Sequence, residues 1–419
     1  MSNHGKKPDR TRRGTLIVLA VATAIGSMGL AAGGTSGALL GVEMTGSEAA
    51  AGLPLGLLVA GSAAAALLVS RRTDSAGRGR SLGLGYVLGA AGAALVVVAA
   101  AASSLLLLLL GSTLLGAGNA AIFLTRYAAA EVGGEAMRGR ALGAVLFATA
   151  FGAVVSPSLL GPSGNLAAII GLPSLAGLYL VAIPCFAVSA LLLATVSNPK
   201  VPLLGRGAAL LGPRERPQVT RRGLATGLGA PSARAALVIL AATNLVMVAV
   251  MAIAPVHLTA HGHGLGLVGF IIGVHVTGMF APSPLSGWMA DRVGPTPVAA
   301  SGLLLLAAAG VAGALVDQDG AAWITAVLMM LGIGWNLGVV GGSTLLAASV
   351  SPSLRPHAEG LGEVAMGLAA GAGAPIAGLI VALGSLTVLL LAGAATAMLT
   401  FTFVHLKTQS SWRNDAKSG

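Results

Sequence analysis

The side chains able to do chemistry in this sequence are few, and each interrupts a long apolar stretch: Asn119, Asn244, His275, Trp335, Asn336 and Glu363. A strongly polar group inside a bilayer is costly, so each is a functional hypothesis by its position alone. The imidazole of His275 titrates near neutral pH, the chemistry of a proton carrier, and a satisfied core histidine is the equal alternative. Glu363, one turn after Glu359, could hold a proton or a cationic substrate, or complement a helix N-terminus. The asparagines could offer a polar site or tie helices together, a bond averaging about 0.6 kcal/mol. The expectation is a central site lined by these six residues, with Asn119 and Asn336 at near-equivalent depths.

His257-x3-His261-x-His263 brings three imidazoles close in sequence, and such a group could bind Zn²⁺. No Cys or carboxylate adjoins them, Gly262 and Gly264 break the segment, and the spacing is not specific to a metal site. The reading is therefore no resident metal and no cofactor. Pro255, His257, Met247, Met251 and Met279 are read as shaping an adaptable apolar cavity. No HExxH, Ser-His-Asp grouping, phosphate loop or membrane-embedded carboxylate pair is present, so an enzyme is not expected.

The elements that must position these groups are membrane helices. Hydrophobic residues make up 55% of the 419 positions and charged residues 9%. A spanning helix needs about 20 apolar residues. Twelve such stretches are read, at 14–36, 51–70, 81–101, 103–124, 140–161, 172–196, 235–256, 265–289, 296–316, 321–344, 360–382 and 384–405. All 24 Lys and Arg residues fall in the two termini and in alternate loops, as the positive-inside rule requires when both ends are cytoplasmic. Arg126, near the end of the fourth stretch, is read in the same way, as topology. The net charge of +11 is spread along that face, where anionic headgroups account for it and a nucleic-acid partner is not expected. The stretch after Gly14 is too long for a signal-peptide core, so it is read as a retained first span. The single cysteine, Cys185, lies inside the sixth span and leaves no intrachain disulfide.

The chain divides into a tail at 1–13, six spans at 14–196, a Pro-, Gly- and Arg-rich linker at 197–234, six spans at 235–405 and a tail at 406–419. The halves echo each other. Asp74 and Gly77 match Asp291 and Gly294 at an offset of 217, Gly116 and Gly118 match Gly332 and Gly334 at 216, and Gly143 and Gly152 match Gly362 and Gly371 at 219. A nearly constant offset argues for an internal duplication.

Two motifs carry the mechanism. Gly287-Trp-Met-Ala-Asp291-Arg292-Val-Gly294 follows span 8: glycine permits close helix contact, the Asp sits at a helix end, and Gly294 permits a tight turn. Its first-half copy keeps Asp74, Gly77 and Arg78 but has Ser70 for the leading glycine. Twelve spans, a six-plus-six repeat and G-x-x-x-D-R-x-G in these loops resemble the major facilitator superfamily over essentially the full chain. The resemblance implies two pseudo-symmetric six-helix bundles and a conformational latch at Asp74, Gly77, Arg78, Gly287, Asp291, Arg292 and Gly294.

Span 5 reads Gly143-x8-Gly152-x3-Ser156-Pro157-x2-Leu160-Gly161, similar to the antiporter motif of drug exporters in that superfamily. Gly143, Gly152, Pro157 and Gly161 match it, and Ser156 and Leu160 depart from it. A mid-membrane Pro bends the helix whatever the transport direction. Exporters of this group carry an Arg where this chain has Ser112, which puts the usual proton route in doubt. The resulting expectation is a monomeric multi-pass carrier of the inner or plasma membrane, moving a small amphipathic molecule outward against protons. An uptake permease, a divalent-metal exporter using His261 and His263, and a non-transporting membrane sensor are the alternatives.

Overall fold

A computed structural model describes residues 7–46, 52–196, 227–263, 265–315 and 320–418. Most of the expected linker, 197–226, and the first six residues lie outside the described residues. So do the side chains of 407–418 in the C-terminal tail.

The described chain is helical. Spans 1–6 are α1 (Lys7–Thr45), α2 (Gly52–Ala76), α3 (Arg78–Ala101), α4 (Leu105–Gly133), α5 (Arg138–Ile169) and α6 (Gly177–Val196). Span 7 is α7 (Pro231–Ala260), and span 8 is two helices, α8 (Leu265–Phe280) and α9 (Ser283–Val293). Spans 9–12 are α10 (Pro295–Leu315), α11 (Ala321–Ser349), α12 (Arg355–Leu383) and α13 (Leu386–Ser418). Among the described residues ten spans are long and apolar enough to cross a membrane, α8 and α9 together making one. Spans 1 and 5 are helices of 39 and 32 residues. The chain is an all-α, multi-pass membrane protein.

Several helices outrun the apolar stretches that announce them. The expected span 4 ends at 124, whereas α4 runs to Gly133 and carries Arg126 and Glu131 within it. The expected span 11 starts at 360, whereas α12 starts at Arg355 and carries Glu359. Span 8 departs in the opposite sense. Pro282 and Pro284 cannot donate to the carbonyls four residues back, and the helix parts between Phe280 and Ser283.

Two compact units emerge. The first holds the described residues of Met1–Gln218 together with Glu359–Val364, and the second holds those of Val219–Ala358 and Ala365–Gly419. A short piece of span 11 thus belongs with the first six spans. Within the units, helix packing repeats: spans 3 and 4, 2 and 4, 3 and 6, 1 and 6, and 1 and 4 pack in the first, and spans 9 and 10, 8 and 10, 9 and 12, 7 and 12, and 7 and 10 pack in the second. Glycine makes the closest of these contacts possible. A Cβ on Gly116 would strike the backbone of Leu58 and Ser62, and one on Gly332 would strike that of His275 and Met279. Between membrane helices, where lipid is as apolar as protein, such close approach is a main source of attraction.

Candidate functional site

The most concentrated chemistry in the first unit is a pair of buried ionic rungs. Arg78 opens α3 directly after Gly77, whose φ of 84° and ψ of 157° fall in a region essentially reserved for glycine. This sharp turn lets Arg78 begin a helix with its side chain turned inward, only 6% exposed. Its Nη1 donates to Glu131 Oε2 at 2.9 Å, and its Nη2 donates to Glu359 Oε2. Arg126, fully buried on α4, donates from Nη2 to Glu363 Oε1 at 2.6 Å and from Nη1 to the Phe123 carbonyl at 3.2 Å. Its guanidinium also lies 4.7 Å from the centre of the Tyr127 ring and 5.6 Å from that of Phe123.

The ladder follows from helical spacing. Glu359 and Glu363 are four residues apart on α12 and so share a face, and Arg78 and Arg126 meet that face from α3 and α4. Glu131 closes the outer rung and is 37% exposed, whereas Glu359 is 2% exposed. Removing one partner of a buried pair leaves an uncompensated charge and costs about 3–5 kcal/mol; replacing both by apolar groups is often neutral. The ladder is therefore weak evidence for stability as such. It can act as a clasp whose strength depends on the charge of two carboxylates.

Sequence reasoning missed most of it. Arg126, read from the sequence only as a topology marker, is among the largest fully buried side chains. A basic residue at a span end satisfies the positive-inside rule whether it points to water or inward, so the rule could not separate the two. The available signals were the i, i+4 pair Glu359 and Glu363, and Glu131 five residues after Arg126.

The expected latch residues divide. Gly77 and Gly294 share one backbone conformation, Gly294 having φ of 96° and ψ of 155°, so both copies make the same turn. Arg78 joins the ladder, while Arg292 is exposed and lies 5.6 Å from the Trp288 ring centre. Asp74 is exposed, Asp291 half-buried and Gly287 buried. Where the second copy has Gly287, the first has Ser70, and a Cβ on Gly360 would collide with the Ser70 side chain. The glycine absent from the first motif is replaced by one on the opposing helix.

The six polar residues expected to line one site divide between the two units. Asn119 and Glu363 belong to the first unit, and Asn244, His275, Trp335 and Asn336 to the second. Asn119 Nδ2 donates to Ser62 Oγ at 2.9 Å. Asn336 is fully buried at the break in span 8: its Nδ2 donates to the Met279 carbonyl and to Ser283 Oγ, both at 2.6 Å, and its Oδ1 accepts from Ser286 Oγ at 2.6 Å. It thus serves polar groups that the parted helix would otherwise leave unmet in an apolar medium. Trp335 Nε1 donates to Asn244 Oδ1 at 3.0 Å, Asn244 Nδ2 donates to the Met366 carbonyl at 2.8 Å, and Phe280 meets Trp335 edge-on. His275 Nδ1 lies 2.8 Å from the Leu328 carbonyl, so that nitrogen carries the proton. Each of the three asparagines ties helices of its own unit.

In the span 5 motif, a Cβ on Gly152 would run into Ser27 and Met28 of α1, so glycine there allows contact between spans 1 and 5. Gly143 is buried, and a Cβ on Gly161 would meet open space. The side chain of Pro157 lies outside the described residues. Ser112, where exporters have Arg, is buried on α4.

The second unit holds an apolar cleft lined by Val250, Ala254, His257, Trp323, Val327 and Leu390 among others. His257 is its one imidazole; Pro255, Met247, Met251 and Met279, read with it as shaping a cavity, are not among its lining residues. Among the described residues no three His, Cys, Asp or Glu side chains are grouped to hold a metal.

Comparison with known proteins agrees with this architecture. The family profile described as Major Facilitator Superfamily matches residues 16–335 and 236–419. The chain is 35% identical to the uncharacterized MFS-type transporter YddS of Bacillus subtilis over 94% of its length and 91% of that protein. It is 27% identical to the riboflavin transporter RfnT of Brucella anthropi over 84% of its length and 85% of that protein. It shares its fold with the human organic anion transporter MFSD10 (TM-score 0.72, 15% identity, 94% of this chain and 99% of that one). The Escherichia coli fucose:proton symporter FucP is similar in fold as well (TM-score 0.70, 15% identity, the same coverage). With its repeated packing, its paired glycine turns and a profile match along nearly its whole length, the chain belongs to the major facilitator superfamily of transporters.

Proposed function

We propose that this protein is an alternating-access secondary transporter that exports a small amphipathic compound in exchange for protons. In this reading the basic loops and both termini are cytoplasmic, and the bundles are 14–196 and 235–405. The observation that carries the proposal is the buried Arg126–Glu363 rung beside Arg78–Glu359. Both rungs hold a piece of span 11 to spans 3 and 4 at the basic end, where closure and opening must alternate. A proton on Glu363 cancels the charge of the carboxylate that faces Arg126, which favours release of the rung. This gives a proton route that does not need the Arg absent at Ser112. The glycine turns at Gly77 and Gly294, with Asp74, Asp291, Gly287 and Arg292, bias the same motion, and Gly143, Gly152, Pro157 and Gly161 support the outward direction. Asn119, Asn244, His275, Trp335 and Asn336 then act as the frame of the site rather than as its lining.

Inside-out vesicles with an imposed acid-inside gradient test the reading. Lipophilic cations and neutral amphipathic drugs should trigger proton release from wild-type vesicles but not from Glu363→Gln vesicles, with Asp291→Asn reduced. Substrate-triggered release that survives Glu363→Gln would remove the ladder from the coupling path. No response to any compound, with accumulation in right-side-out vesicles, would reverse the direction to uptake. A second reading of the substrate, a planar flavin-like compound, is favoured by the 27% identity to a riboflavin transporter, so riboflavin belongs in the same panel.

A further inference from the structure

At the end of the second unit away from the basic loops, span 7 closes with two histidines in register. His257 and His261 are four residues apart, the spacing that puts two side chains on one helix face. Their ring centres are 4.0 Å apart with a tilt of 39° between planes. The helix continues to His261, whose backbone N–H donates to the His257 carbonyl at 3.1 Å. It then ends on Gly262 with φ of 81°, and the N–H of His263 donates back to the Leu258 carbonyl at 3.1 Å. This is the Schellman geometry of a glycine-capped helix, and it fixes the backbone that carries His261 and His263.

The protonation of the outer ring follows from its partner. Nδ1 of His261 lies 2.8 Å from the His257 carbonyl oxygen. A carbonyl can only accept, so Nδ1 carries a proton, and in the neutral ring the lone pair lies on Nε2. Metal-ligating histidines are oriented in this way, one nitrogen donating to a backbone carbonyl and the other facing the ion. The C-terminal end of a helix also favours a cation. His261 is exposed, so an ion can reach it from water.

We propose that His257 and His261 form a two-imidazole site for a borderline divalent cation, Zn²⁺ or Cu²⁺, distinct from the ion-pair ladder. Two nitrogens leave the remaining coordination positions to water, the arrangement of an open site rather than a closed structural one. Imidazole donors select Zn²⁺ and Cu²⁺ over Mg²⁺ and Ca²⁺, which take oxygen ligands. Because His257 also lines the apolar cleft of the second unit, an ion on the pair fixes one wall of that cleft.

The test uses full-length protein purified without a histidine tag, in a His4→Ala background so that the N-terminal segment contributes no copper signal. One equivalent of Cu²⁺ should give an electron paramagnetic resonance spectrum with hyperfine structure from two imidazole nitrogens. A large excess of Zn²⁺ should then compete with the copper, and the same excess of Mg²⁺ should not. His261→Ala, a change at an exposed position, should weaken binding by at least about tenfold. His261→Gln should do the same, and His263→Ala should leave binding unchanged. An unchanged copper spectrum in His261→Ala would overturn the assignment, as would loss of the signal in His263→Ala or displacement by Mg²⁺. Unaltered size-exclusion and circular dichroism profiles of each variant would show that the readout concerns the site and not folding.

Discussion

The two repeats agree in how their helices touch and disagree in where their charges lie. A Cβ on Gly116 would meet Leu58 O, Gly61 C and Ser62 N; one on Gly332 would meet His275 O, Gly278 C and Met279 N, each partner displaced by 217 residues. Asn119 reaches Ser62, and Asn336, 217 residues on, reaches Met279. The ionic rungs have no such echo. At the same offset, Arg78 becomes Pro295, Arg126 becomes Ser343 and Glu131 becomes Ala348; at the offset of span 11, Glu363 corresponds to Ala144. The packing of spans 1–4 and 6 thus repeats in spans 7–10 and 12, because both copies bury the same helix pairs. The ionic rungs are confined to the first unit.

The comparison breaks hardest at the rungs. Arg126→Ala should destabilise the protein by about 3–5 kcal/mol by stranding Glu363, whereas Ser343→Ala at the equivalent place strands no charge and should cost less. Thermal melting in detergent measures both. The double change Arg126→Met with Glu363→Leu should recover most of the lost stability while transport stays abolished. Recovery of transport with it would reduce the rung to a packing element.

Next in size come the glycines. Gly116→Val and Gly332→Val should cost about 1–3 kcal/mol each and by similar amounts, since both intrude on the same backbone atoms. A cost confined to one repeat would show that the equivalence of the two contacts is only geometric. The asparagines should differ by their bond count. Asn336→Ala loses three bonds at about 0.6 kcal/mol each, roughly 2 kcal/mol together, against a single such bond for Asn119→Ala. Melting of the two variants side by side measures the difference. Smallest of all is Gly161→Ala, expected within about 0.5 kcal/mol and without effect on flux, because its Cβ enters open space; Gly152→Ala should impair both. A flux defect in Gly161→Ala would mean that the span 5 motif acts beyond packing.

Much of the fold is legible in the residues. Apolar length marks the spans, and Asp74, Gly77, Asp291 and Gly294 announce two turns of identical geometry. The glycine pairs at an offset of 216 foretell repeated close contacts. Less of the site is legible. Glu363 stands out as a carboxylate within a span, but its partner lies 237 residues away and was read as a topology marker. The six interior polar residues look alike as a list, and the fold gives them different tasks: Asn336 mends a broken helix while Glu363 pairs a charge.

Composition and periodicity alone determined that this chain is a membrane-embedded helical repeat, because the bilayer imposes length and hydropathy on every span independently of its neighbours. Which buried charges meet was decided only by tertiary structure. A salt bridge depends on the rotation and depth of helices distant in sequence, and an arginine at a span end obeys the same charge rule whether it faces water or Glu363.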